Sequence, residues 1–288
     1  MNLRILLFHF FLILALCFQA QLTDNFSDGN FTQNPAWQGS AADFLVNGTS
    51  ELQLSSAVAG TSYLSTPHVL GTLTNTEWQI KVRQTFSPSS SNFGKVFLTA
   101  DNADMSLVQN GYYLLFGETG STDAIRLFAL NAGVATQICA GTDGQISASC
   151  NASVKVKRDG AGLWSLFADL SGGTNYTLLS TGSDASNLLG THFGVLCTYT
   201  ISNATKFYFD NVYIGPEILD VTPPVLASVT PISSTQLDIL FNESVTLASA
   251  QNIISYSFNP SLTLSNLSLD NTNTALVHAG LSSVLVNG

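Results

Sequence analysis

Apolar residues recur along most of this chain with a period of two. In "EWQIKVRQTF", Trp78, Ile80, Val82 and Phe86 alternate with Gln79, Lys81 and Arg83. Such spacing puts the apolar set on one face of an extended strand and gives a helix no apolar stripe. Similar alternation runs from residue 22 to 215, through "GKVFLTAD", "NGYYLLFGE", "AIRLFAL", "THFGVLCTY" and "TKFYFDNVYIG". The stretch "SVKVKRDGAGLWSLFADLSGGTNYTLL" reads as three strands joined by an Asp-Gly and a Gly-Gly turn, which is a meander of hairpins. About ten to twelve short strands between turn signals predict an antiparallel sandwich. At about 195 residues the domain exceeds one immunoglobulin unit of about 100 and suits a two-sheet jelly roll.

The pattern breaks at "GPEILDVTPPVLASVTP", where Pro216, Pro223 and Pro224 oppose both helix and ladder pairing. Beyond it "TQLDILFNESV" alternates again through Leu237, Ile239 and Phe241, with shorter strand-like runs after it. The expected fold class is therefore all-β, an antiparallel jelly-roll sandwich followed by an incomplete Ig-like β-sandwich. The expected organisation is a signal peptide over 1–20, a jelly roll over 21–217, a Pro-rich linker over 218–224 and a smaller β domain over 225–288.

The opening "MNLRILLFHFFLILALCFQA" supplies one Arg, an apolar run from Ile5 to Phe18 and a small residue at Ala20. That is the plan of a secretory signal peptide, and the run is shorter than the ~20 residues of a membrane span. Its removal leaves no transmembrane span. Acylation at Cys17 is a second reading, against which Leu16 is bulky where that signal takes a small residue. With 9 Lys+Arg against 19 Asp+Glu and a formal net charge of −10, the chain cannot neutralise many phosphates, which excludes nucleic acid as a partner. An exported protein that contacts an extracellular glycan or surface protein fits this composition.

Export also bears on the cysteines left after residue 20, Cys139, Cys150 and Cys197. An odd number leaves one unpaired. Cys139 and Cys150 flank "AGTDGQISAS", and the Asp-Gly turn signal between them predicts a disulfide across a hairpin or its loop. Cys197 alternates in phase with Phe193, Val195 and Tyr199 and reads as a buried free thiol.

Residues 220–288 resemble the S-layer type of bacterial immunoglobulin-like domain. The likeness lies in "DVTPP", the Val-rich strand after it, and Phe241, Glu243 and Val245 in a Phe-x-Glu-x-Val pattern. Such a domain needs about 100 residues, so the resemblance implies a truncated one here. Residues 22–215 resemble the laminin-G or concanavalin-like jelly rolls of large secreted bacterial surface proteins. That resemblance rests on "DNFSDGNF", "NGYYLLFGE", "VKVKRDGAGLW" and "FYFDNVYIG".

The stretch "DNFSDGN" gathers two carboxylates, amides and a glycine. An EF-hand loop beginning at Asp24 would need an oxygen ligand where Phe26 stands and a Glu where Pro35 stands. Related jelly rolls often hold a structural calcium between an N-terminal acid, loop carbonyls and an Asp of the last strand. The resemblance thus implies one calcium held by Asp24, Asp28, Asn30 and Asp210, while the residues alone also allow an ordinary turn. Asp101 and Asp104 in "TADNADMS" form a second acidic loop that reads as a solvated turn. Carbohydrate-binding sandwiches stack sugars on exposed aromatics, and Trp37, Tyr112 and Tyr113 are the ligand-contacting candidates. Tyr112 and Tyr113 are adjacent, so the strand pattern sends them to opposite faces.

No catalytic residues are predicted. The Glu residues Glu51, Glu77, Glu118, Glu217 and Glu243 stand apart, without the Glu-x-Asp-x-Glu spacing of glycan-cleaving jelly rolls. His68, His192 and His278 lie in no nucleophile-elbow or similar pattern. A divergent hydrolase or lyase with carboxylates from separate strands is the alternative reading, and a purely architectural spacer is a third.

Overall fold

The computed structural model describes residues 21–285. The expected signal peptide and Cys17 lie outside the described residues. Among those described, no helix is long and apolar enough to cross a membrane. The chain forms two compact units that divide between Ile218 and Leu219.

The first unit contains β1 (Leu22–Asp24), β2 (Gln38–Gly39), β3 (Phe44–Val46), β4 (Leu52–Leu54), β5 (Gly60–Pro67), β6 (Thr76–Gln84), β7 (Phe93–Ala100), β8 (Gly111–Phe116), β9 (Ile125–Asn131), β10 (Val134–Ala140), β11 (Cys150–Arg158), β12 (Leu163–Asp169), β13 (Thr177–Ser183), β14 (His192–Tyr199) and β15 (Phe207–Pro216). One sheet of eight strands runs β13-β12-β11-β6-β15-β4-β3, with β1 also on β15; the other, of seven, runs β10-β9-β8-β7-β14-β5-β2. Neighbours pair antiparallel throughout, as in β6–β15 and β7–β14.

The period of two explains the sandwich. Trp78, Ile80 and Val82 of β6 are buried between the sheets, together with Val154 and Val156 of β11 and Phe207 and Phe209 of β15. Trp164 stacks on Trp78 with ring centroids 5.6 Å apart, and Tyr112 crosses from the other sheet to 4.4 Å from Trp164. Each such side chain removed from water stabilises the fold by about 1.5–3 kcal/mol. The β9–β10 hairpin turns on Ala132 (φ 48°) and Gly133 (φ 78°), two left-handed residues whose twist matches the strands they join. A second apolar layer covers the outer face of the seven-stranded sheet, where Phe97, Tyr113 and Leu196 pack beneath Met105 and Val108 of the β7–β8 loop. Ser65 Oγ ties that loop down by donating to the Ala103 carbonyl at 2.6 Å.

The expected Cys139–Cys150 disulfide is not formed: Cys139, Cys150 and Cys197 are all free and buried. The segment between the first two is not a hairpin. It carries the chain from β10, at the edge of the seven-stranded sheet, to β11 inside the eight-stranded one. Cys139 pairs in register with Leu127 and Cys150 with Gln84; the Cys139 thiol meets the Trp164 carbonyl of the facing sheet and the Cys150 thiol the Val82 carbonyl of its own, each at 3.7 Å.

The second unit is one antiparallel sheet of four strands in the order β16-β17-β19-β18, formed by β16 (Leu226–Ser233), β17 (Gln236–Phe241), β18 (Leu264–Leu269) and β19 (Leu276–Leu281). A short helix, α1 (Leu247–Ala250), sits in the β17–β18 connection, capped by Thr246, whose side chain accepts from the Ser249 amide at 3.2 Å. Leu237, Ile239, Leu267, Val277 and Ala279 form its small core. Pro231 lies on the outermost strand, where a missing N–H costs no ladder bond. The sequence predicts an incomplete sandwich here, and among the described residues this unit has a single sheet.

Candidate functional site

The opening acidic stretch is a chain of side-chain-capped turns. Strand β1 does pair with β15, Asp24 standing opposite Val212, so the two ends of the first unit meet as expected. The Asp24 carboxylate accepts from the Phe26 amide at 2.9 Å and from Trp37 Nε1 at 2.8 Å. These bonds hold Phe26 at a left-handed φ of 50° with its ring fully buried. Burial, the leading cause, raises the Asp24 pKa. Asp28 accepts from the backbone and side-chain amides of Asn30 at 3.1 and 2.9 Å. Asn30 Oδ1 accepts in turn from the amides of Thr32 and Gln33, both at 3.1 Å.

This arrangement does not fit the expected calcium. The Asn30 oxygen is turned into its own backbone, and Asp24 serves buried donors. Among the described residues no three of His, Cys, Asp and Glu are grouped so as to hold a metal ion, Asp24, Asp28 and Asp210 included. The sequence pattern had placed Asp210 on the face of Val212. A β-bulge between Asp210 and Tyr213, with Asn211 at φ 52°, breaks that phase: Val212 turns into the core and Asp210 outward. Asp210 accepts from the Asn211 amide at 2.7 Å. Its pKa is raised, first by burial and then by Glu51 and Asp24, against the pull of Lys81.

The aromatic candidates are also placed elsewhere than a ligand surface. Trp37, Tyr112 and Tyr113 are 3 %, 0 % and 5 % exposed. Trp37 packs edge-on to Phe193 in the core and gives its N–H to Asp24. The Tyr112 hydroxyl donates to Asp184 at 2.6 Å or the Ser186 carbonyl at 2.7 Å, and burial leads in pushing its pKa up to about 12. Tyr113 does face the opposite side, but that side carries its own apolar layer, where it stacks on Phe128 at 5.2 Å.

The open aromatic and polar surface is the outer face of the eight-stranded sheet. Register aligns Tyr213 with Gln79, Gln79 with Lys155 and Lys155 with Phe167. Four adjacent strands thus present one row about 14 Å long at the ~4.8 Å spacing of a sheet. All four side chains are half-buried. Tyr176 joins the row: its hydroxyl donates to Gln79 Oε1 at 3.2 Å, and its ring lies 4.3 Å from Lys155 Nζ. Phe167 holds the same ammonium at 5.4 Å. Lys155 is partly desolvated, which lowers its pKa ahead of smaller effects from Glu77, Lys157 and Glu217.

Beside this row the charges are paired. Lys157 reaches Glu217 at 2.8 Å and the buried Glu77 at 3.7 Å, and Gln79 Nε2 donates to Glu77 at 2.5 Å. On the other side Arg83 is ion-paired with Glu51 and stacked 3.5 Å from the Tyr208 ring centroid. The sequence reading missed Tyr208, Tyr213, Phe167 and Tyr176. Their signal lay in "VKVKR" and "FYFDNVY", whose polar and aromatic alternate positions share a sheet face only once β6, β11, β12 and β15 are known to be neighbours.

No protein-family model matches the chain, and no curated protein matches it. Among solved structures, the exoplasmic/lumenal domain of VIP36 in its Ca2+-bound form is 10% identical, with a TM-score of 0.49 over 69% of this chain and 91% of that one. The carbohydrate recognition domain of Emp47p is 14% identical, with a TM-score of 0.45 over 69% of this chain and 95% of that one. A protein of unknown function from Shewanella oneidensis MR-1 is 13% identical, with a TM-score of 0.45 over 70% and 89%.

Proposed function

We propose that the first unit is a non-catalytic, glycan-contacting β-sandwich of an exported protein, and that residues 225–288 are an Ig-like spacer. The observation that carries the reading is the outward row Tyr213–Gln79–Lys155–Phe167 with Tyr176 beside it. A sugar ring has apolar C–H faces and a rim of hydroxyls. Rigid aromatic side chains cover the former at little entropy cost, and amide, amine and carboxylate groups at fixed spacing meet the latter. Glu77 and Glu217, the carboxylates beside the row, are both paired with Lys157.

A glycan array probed with the full chain tests the proposal. Binding to a restricted set of glycans is expected, weakened about 5- to 30-fold by Phe167→Ala or Tyr213→Ala, the 1–2 kcal/mol of a central aromatic contact. Tyr113→Phe, on the opposite sheet, leaves it unchanged. Absence of glycan binding, or turnover of a bound glycan, overturns the reading.

A further inference from the structure

The second unit contains one basic side chain. Residues 219–288 include neither Lys nor Arg, and Asp220, Asp238, Glu243 and Asp270 are their acidic residues. The one histidine, His278, stands between two of those acids. On β19 it lies in register with Asp238 of β17 on one side and Ser268 of β18 on the other. Its Nδ1 is 2.7 Å from an Asp238 oxygen and its Nε2 is 3.1 Å from an Asp270 oxygen. Asp270 opens the β18–β19 turn, where its other oxygen accepts from the Thr272 amide and hydroxyl and the Asn273 amide at 2.7–2.8 Å.

We propose that His278 is a pH-sensitive clasp: as an imidazolium it ties β17 and the β18–β19 turn to β19, and on losing its proton it releases one of them. The chemistry of the ring requires this. An imidazolium donates from both nitrogens, whereas neutral imidazole has one N–H and meets the second carboxylate with a lone pair. Two carboxylates then face each other across β19 with a single donor between them. Among the described residues, Asp238 is the titratable group facing the ring from β17 and Asp270 from the β18 side. The remaining neighbours Gln236, Ser265, Asn266 and Ser268 are uncharged.

The hydrogen bonds to Asp238 and Asp270, in that order, raise the His278 pKa. The folded unit therefore holds this proton more tightly than the unfolded chain. The stabilisation is complete below the ordinary histidine pKa of about 6.5 and is lost as pH rises through the higher folded value. Most proteins lose stability on acidification through carboxylates, so this is a response of opposite sign.

Imidazole NMR titration of the full chain tests the clasp. His278 is expected to titrate above about 6.5, and Asp238→Asn to bring its midpoint down towards that value. Hydrogen exchange gives a second reading. Corrected for the intrinsic pH effect, protection of β18 and β19 amides should fall roughly three- to tenfold between pH 6 and 9, and His278→Gln should remove that fall. A wild-type His278 midpoint at or below 6.5, or an equal fall in His278→Gln, overturns the proposal. Asp238→Asn decides it if His278→Gln does not fold.

Discussion

Asp24 shows how a residue type misleads when its partners are unknown. A carboxylate in a Gly- and amide-rich stretch reads equally as a metal ligand or as a cap. The deciding partner, the Trp37 indole thirteen residues on, is visible only in the fold. Asp24→Ala would leave that buried N–H without an acceptor, and we expect it to destabilise the first unit by about 1–3 kcal/mol. Chelator, by contrast, should leave the melting temperature of the chain unchanged. A fall on adding chelator would return calcium to this loop. His68 makes a second prediction at this scale. Its Nδ1 accepts from the Leu70 amide at 3.3 Å, which places the proton on Nε2 in a site without a partner for it. Burial first, then His192, lowers its pKa to about 4. A depressed histidine contributes stability above its unfolded pKa of about 6.5 that is lost as pH falls towards 4, here up to about 3 kcal/mol. Denaturant titrations at pH 7 and 4.5 should show this loss in the wild type and a smaller one in His68→Gln.

Strand faces were legible from the sequence, and strand neighbours were not. Cys197 alternates with Phe193, Val195 and Tyr199, and all four are core residues. The period of two suffices for that. Whether a short apolar segment turns back on its own sheet or crosses to the other is not a local property, and there the expected Cys139–Cys150 bridge failed. The turn signal "TDG" lies in a crossover. The bulge in β15 is a similar case: one extra residue reversed the faces of Asp210 and Val212 relative to the alternation, and no single residue type announces it. Burial leads in raising the thiol pKa values of Cys139 and Cys150, to about 11 and about 12, and that of Cys197 well above its ordinary value. All three should resist a thiol reagent in the native chain and react on denaturation, and reductant should not shift the melting temperature. Rapid native labelling would contradict their burial.

At the scale of the molecule, the all-β class followed from alternation, turn residues and the Pro-rich break near residue 220. The candidate site did not follow, because a row on a sheet face is assembled from strands distant in sequence: β15 lies beside β6, which lies beside β11. Trp37, Tyr112 and Tyr113 were drawn by residue type into a role that their burial forbids. The two units also differ in how they answer pH, the first losing stability on acidification through His68 and the second on alkalinisation through His278. Contact between glycan and the outer face of the eight-stranded sheet is read by hydrogen exchange of the full chain with and without a glycan selected on the array. Slowed exchange is expected in residues 76–84, 150–158, 163–169 and 207–216. Slowing confined to the opposite sheet and its 101–110 loop, or none at a saturating glycan concentration, would contradict it.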